Sequence, residues 1–255
     1  MEVLTFDIAG KFAHFRKYYS NNTALSFSIP PRTTLIGIIA SALGLQRDSY
    51  YEDMVTSKLR IGIMVLCPIK KTFHRLNHLK VESGSDLRGT KGHIQLPYEV
   101  ISGLDITKDE VTYRIFISCF EEGRELFNKI TDAFLQKKFI YNLSLGAANF
   151  SANIKNTRLI TGVLEKEATN EFMEFHSAIN SNNVKEIDFK KSTSSGLSVE
   201  EELIPIDFKG NNDRELTKIT NMLFSVDGRP LTVIQERTYF EYTENNSTVR
   251  FQFME

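Results

Sequence analysis

With 255 residues, 41% of them hydrophobic and 25% charged, the chain has the make-up of a soluble globular protein with room for a sizeable core. Its apolar runs fall short of the roughly 20 residues of a membrane helix, and its start, MEVLTFDIAG, lacks the basic n-region of a secretory signal. The two cysteines, Cys67 and Cys119, lie in no CxxC, so a reducing, cytoplasmic setting without a disulfide framework is expected.

The formal net charge of −1 hides an asymmetry. Residues 1–93 carry 13 Lys and Arg against 7 Asp and Glu, and the remainder carries 18 against 25. A basic first part fits contact with a polyanion, and an acidic second part fits solvent or a basic partner; drift of surface charge is the bland alternative.

Leu4, Phe6 and Ile8 alternate with Thr5 and Asp7, which predicts a strand with one buried face. Gly10 then sits at a change of apolar parity, a sign of a bulge or of another backbone coming close. The strand ends in His14, Phe15, Arg16, Lys17, Tyr18 and Tyr19. Cations beside rings can hold phosphates and stack bases, or they can be a solvated end over buried rings. Pro30 and Pro31 precede a helix that Thr33 or Thr34 would cap. Leu35, Ile38, Ile39, Ala42 and Leu43 give it an apolar stripe. Gly37 and Gly44 weaken that helix and need packing or a cap to offset them.

Leu59, Ile61, Ile63 and Val65 predict a second strand. A polar, basic stretch follows at 70–91, and its segment 83–92 is turn-rich and expected to be mobile. Alternation from Val111 to Cys119 predicts a third strand, 121–138 a helix, 142–154 a loop entering a strand, and 159–164 a fourth strand. The order is β-α-β-β-α-β, an α+β ferredoxin-like arrangement shared by RNA-recognition motifs and by many enzymes. This domain would span 1–165. A mostly β C-terminal module, 166–255, would pack on it, with a helix at 165–179, a loop or boundary at STSSG, 192–196, and strands at 203–208, 230–236, 237–242 and 248–253. Asn245 and Asn246 would form a hairpin turn. Glu200, Glu201 and Glu202 read as a solvated face.

Four motifs carry a resemblance. GKFAHFR (10–16), SIPPRTTLIGIIASALGL (28–45), HIQLPYEVISG (93–103) followed by YRIFI (113–117), and SLGAANFSANI (144–154) resemble, in this order, the CRISPR-associated Cas-five family, most closely its type I-B branch. The resemblance spans residues 3 to about 164. It implies a subunit of a type I interference complex (Cascade) that binds the 5′ handle of the CRISPR RNA. It also implies that the subunit caps a filament of Cas-seven backbone subunits, contacts the large Cas-eight subunit, and meets target DNA only indirectly. A basic thumb insertion would occupy about 67–110. The implied RNA contacts are Gly10, His14, Phe15, Arg16 and Lys17 on the strand end, Lys71, Arg75, His78, Arg88 and Lys91 on the thumb, and Ser144, Gly146 and Asn149 on the loop. No metal or cofactor is expected.

Two other readings stand beside this one. One family branch is a metal-independent endoribonuclease that processes precursor CRISPR RNA; here His74, His78, Lys71 and Tyr18 offer the residue types for acid, base and phosphorane stabilisation. In type I-B systems a separate Cas-six enzyme usually cuts. The other is a stand-alone ferredoxin-like small-ligand domain. HRLNH puts His74 and His78 four residues apart, but nothing completes a metal set, and GTKGH lacks the spacing of a P-loop.

Overall fold

The computed structural model describes residues 1–194, 196–209 and 214–255. Its centre is a four-stranded antiparallel sheet built from β1 (Val3–Gly10), β2 (Leu59–Val65), β5 (Val111–Cys119) and β6 (Asn153–Ile160). The strand order is β2-β5-β1-β6. Between β2 and β5 the chain leaves the sheet as a long hairpin of β3 (Ile69–Leu79) and β4 (His93–Gly103). Two helices, α1 (Arg32–Leu43) and α2 (Arg124–Leu135), follow β1 and β5. The elements after β6 are mainly strands: β7 (Val199–Phe208), β8 (Leu216–Ser225), β9 (Leu231–Gln235), β10 (Tyr239–Glu244) and β11 (Ser247–Phe251). The molecule is therefore α+β and strand-rich.

Alternation decides which side chains meet which layer. Leu4, Phe6 and Ile8 of β1 join Ile61 and Ile63 of β2 and Tyr113, Ile115 and Ile117 of β5 in one core with Leu35 and Ile39 of α1 and Phe127, Ile130 and Phe134 of α2. Phe6 meets Phe134 with ring centroids 4.4 Å apart. Ile204, Ile206, Met222, Phe224 and Met254 belong to the same core, so both halves of the chain feed it. The other face of the sheet is also covered. Val3 and Phe116 lie under Phe240, Tyr242, Val249, Phe251 and Phe253. Phe116 stacks on Phe251 at 4.2 Å and 11°, and a Cβ on Gly62 would come within 2.7 Å of the Gln252 carbonyl oxygen. Towards the polar end of this face, Asp7 accepts from Arg114 Nε at 2.7 Å, and Arg114 Nη1 donates to Glu244 at 2.7 Å.

Several local expectations change. The segment 165–179 is not a helix: Met173–Phe175 pairs with β9 and Ile179–Asn180 with β8, and edge pairing overrides local propensity. The fourth strand of the sheet is β6, starting six residues earlier than the apolar run 159–164 suggested. α1 is not capped by Thr33 or Thr34; Pro31 holds the cap position without a side-chain hydrogen bond. Glu121–Gly123 is a 3₁₀ turn ahead of α2. The helix Phe189–Ser194 covers part of STSSG, whose Ser195 lies outside the described residues. β8 had no expectation at all. Gly44 does cap α1, at φ +71°, and Asn245 and Asn246 turn β10 into β11 with φ of +49° and +62°. Among the described residues, no helix is long and apolar enough to cross a membrane.

Candidate nucleic-acid interface

Two of the motifs, GKFAHFR (10–16) and SLGAANFSANI (144–154), dock on each other although 127 residues lie between them. The His14 amide donates to the Leu145 carbonyl at 3.0 Å, and the Leu145 amide donates to the Phe150 carbonyl at 2.8 Å. Glycine is required at both contact points. A Cβ on Gly10 would lie 2.7 Å from the Ser151 carbonyl oxygen, and one on Gly146, at φ +88°, would lie 1.8 Å from that of His14. The strand end and the 143–151 loop thus form one backbone-to-backbone unit.

Beside this unit opens a cleft of about 580 Å³. Arg16 and Tyr18 line one side, and Ser144 and Gly146 come from the docked loop. Thr33, Thr34, Gly37 and Ser41 of α1 form its floor. Tyr50, Tyr51, Pro205, Phe208, Arg214 and Leu216 close the remaining sides. Arg16 is exposed, and its Nη2 donates to the Ser20 carbonyl at 3.0 Å. Arg214 Nε donates to Asp48 Oδ1 at 2.8 Å, and the Tyr51 hydroxyl donates to the same oxygen at 2.6 Å. Burial, then this bond, pushes the Tyr51 hydroxyl far up, so it stays a donor. The Tyr51 bond, then Arg214, holds the Asp48 carboxyl below its ordinary value. The first turn of α1 has no side-chain cap, so its partial positive charge adds to that of Arg16. The cleft can therefore hold an anionic group beside rings and hydroxyls.

Gly10, expected as an RNA contact, is instead buried against the Ser151 carbonyl, and the other expected contact residues sort into three groups. Arg16, Ser144 and Gly146 meet at the cleft, with Asn149 exposed on the same loop. Arg75, His78 and Arg88 are exposed on the β3–β4 hairpin, whose strands pair without interruption from Ile69↔Gly103 to Leu79↔His93. Its tip is a 3₁₀ turn, Gly84–Arg88, in which Asp86 accepts from the Glu82 and Ser83 amides at 2.9 and 2.7 Å.

The third group is withdrawn from the surface or already paired. The Phe15 ring is buried edge-on to Tyr113, 6.0 Å away. His14 is buried, stacked on Tyr98 at 4.0 Å, with Nδ1 2.7 Å from the Glu99 carbonyl oxygen. Neither side chain can stack on a base from there. Lys17 and Lys71 reach the same buried carboxylate, Glu202, at 2.9 and 3.0 Å. Burial is the largest single influence on Lys17 and opposes its charge, but the bond to Glu202, that carboxylate's charge and Tyr19 together outweigh it and hold the ammonium above its ordinary value. Glu202 also accepts from the Ser28 amide at 2.8 Å. It is thus the anchor of a polar junction, not part of a solvated face. Lys91 pairs with Glu82 and Asp86.

The four residues of the endoribonuclease reading do not gather. Tyr18 lines the cleft, Lys71 is held by Glu202, and His74 and His78 lie on the exposed hairpin. On a strand, four residues span about 13 Å, so HRLNH does not bring its histidines together. Sequence reasoning missed Tyr50, Tyr51, Phe208 and Arg214. The last two come from a region without any motif, and only the Tyr50–Tyr51 pair offered a signal.

A family model described as CRISPR-associated protein (Cas_Cas5) matches residues 3–218. No curated protein matches. Among solved structures, a CRISPR protein from Archaeoglobus fulgidus aligns over 99% of this chain and 100% of its own, with 13% identity and a TM-score of 0.58. A chain of a CRISPR RNA-guided surveillance complex aligns over 91% of this chain and 90% of its own, with 14% identity and a TM-score of 0.50. These likenesses are of fold. The match over most of the chain, together with the docked strand end and loop, places this protein in the CRISPR-associated Cas-five family.

Proposed function

We propose that the chain is a non-catalytic subunit of a Cascade-type interference complex in a prokaryotic cytoplasm, and that it binds the 5′ handle of the CRISPR RNA. We read its central sheet as ferredoxin-like, supported by the antiparallel order β2-β5-β1-β6 with a helix after β1 and after β5. The observation that carries the proposal is the convergence of Arg16, Ser144 and Gly146 on one cleft at the start of α1. An RNA-recognition motif would use the open face of the sheet. Here that face is filled by Phe240, Phe251 and Phe253, so a nucleic acid has the cleft and the hairpin left to it. Phosphates would meet Arg16 and the start of α1, and unstacked handle bases would meet rings and backbone groups. The hairpin, with Arg75, His78 and Arg88 exposed, would cross the RNA and meet a Cas-seven backbone subunit. The large Cas-eight subunit would be a further neighbour, and target DNA would be contacted only through the assembly.

Purification of the tagged chain from its host tests this reading. RNA beginning with repeat-derived nucleotides, recovered with a filament subunit, is the expected result. Recovery of the chain free of RNA and of other subunits would overturn it.

A further inference from the structure

The cleft contains one residue that the folded chain does not account for. Gly37 lies in the middle of α1, where glycine is a poorer helix former than any residue except proline. Glycines in the strands have a packing reason. A Cβ on Gly10 or Gly62 would press on a carbonyl oxygen at 2.7 Å, and one on Gly103 would lie 2.3 Å from the Asp109 Cβ. Gly37 has no such neighbour. A Cβ there would meet only the Tyr50 hydroxyl, at 3.6 Å, an ordinary contact, and its φ lies outside the left-handed region. Neither packing nor backbone conformation excludes a side chain at this position. What a side chain would take away is open space in the cleft that Gly37 lines.

A bare patch of helix matters to a ligand that lies flat against it. The surrounding walls narrow the chemistry. Tyr18, 49% exposed, and Phe208 offer ring surface, while Arg16 supplies a cation at the mouth. A planar π-system carrying a negative charge fits this set, and about 580 Å³ lies within the range of small-ligand pockets. We propose that the cleft receives one nucleotide turned out of the bound RNA strand, its base flat over Gly37 between the rings and its phosphate against Arg16. This deepens the handle-binding reading and rests on it.

The test uses the purified full chain and a labelled RNA of the repeat-derived handle, with a series of single abasic substitutions along it. One position is expected to matter far more than the others, with loss of its base weakening wild-type binding about tenfold, the scale of one stacked base. Gly37→Leu, which fills the floor, is expected to keep its melting temperature, to bind intact RNA about tenfold more weakly, and to be indifferent to that abasic position. Ser41→Leu, one turn along the same floor, is a second block if Gly37→Leu melts early. Equal losses at every abasic position, or wild-type affinity in both Leu variants, would overturn the pocket and leave the cleft to a peptide of another subunit. Handle RNA bound no better than an unrelated RNA would instead overturn the proposed function.

Discussion

Arg32 is the largest fully buried side chain, and it fastens the start of α1 to the rest of the molecule. Its guanidinium donates to Asp207 Oδ1, the Met54 carbonyl and the Leu59 carbonyl, each at 2.6 Å, tying the helix to the approach to β2 and to β7. Asp207→Ala would strand this charge in the core. The expected loss is about 3–5 kcal/mol in urea unfolding, with most of it recovered when Arg32 and Asp207 are replaced together by Leu. His14 gives a second expectation. Burial lowers its pKa, and Nε2 is buried without a partner. The Glu99 carbonyl accepts at Nδ1, so the neutral ring fits and a proton on Nε2 does not. Between its folded value and the unfolded value of about 6.5, the unfolded chain binds more protons. Stability is therefore full above about pH 6.5 and falls as pH drops, and His176, also lowered by burial, adds to the slope. His14→Asn, followed by thermal melts from pH 7.5 to 5, is expected to give a shallower fall. The sequence made Arg16, Ser144 and Gly146 visible through their motifs. It could not show that Phe15 turns inward, because the parity of the strand changes after Gly10. Nor could it show that Lys17 and Lys71 are paired, since their acid lies 185 and 131 residues away in the chain.

The helices and central strands were legible because one face of each carries a regular series of large apolar residues, at helical spacing from Leu35 to Leu43 and at alternate positions from Leu4 to Ile8, while the other face carries smaller or more polar ones. The β3–β4 hairpin was not. Beyond its base both faces meet solvent, with Phe73 61%, Leu76 38% and Ile94 52% exposed, so period 2 in structure leaves no period 2 in polarity. The same exposure makes it separable. The base is anchored by buried Ile69, Val100 and Ile101, and by the pairing of the Ala24 amide with the Pro97 carbonyl and of the Glu99 amide with the Ala24 carbonyl. Replacing residues 75–95 by a short Gly-rich turn leaves that anchor intact. The shortened protein is expected to melt within a few degrees of wild type yet to fail to enter the co-expressed assembly, read by size exclusion. Normal entry would remove the hairpin from the interface. The segment 165–179 was misread for the opposite reason: its apolar residues serve separate sheet edges, and their spacing mimics a helical stripe.

At the scale of the whole molecule, the C-terminal strands decide which surfaces remain. They cover the sheet with aromatic rings and send Glu202 into the polar junction below the hairpin. No local pattern announces either act, because both are contacts between distant parts of the chain. The junction also changes what the basic first part is worth in solution. Six of the expected RNA contacts are cations: Arg16, Lys17, Lys71, Arg75, Arg88 and Lys91. Three of them, Lys17, Lys71 and Lys91, are neutralised by the protein's own carboxylates. Among the described residues, no carboxylate pairs with the other three. A lysine that must leave one anion to hold another releases no net counterion. The logarithm of RNA affinity should therefore fall against the logarithm of salt with a slope of about −2, as for three phosphates, and not the roughly −4 that six cations would give. Titration of RNA binding across monovalent salt reads this slope. Lys71 also pairs with Glu200 at 3.6 Å, so in Glu200→Gln/Glu202→Gln, which frees both ammonium groups, the line should steepen by more than one.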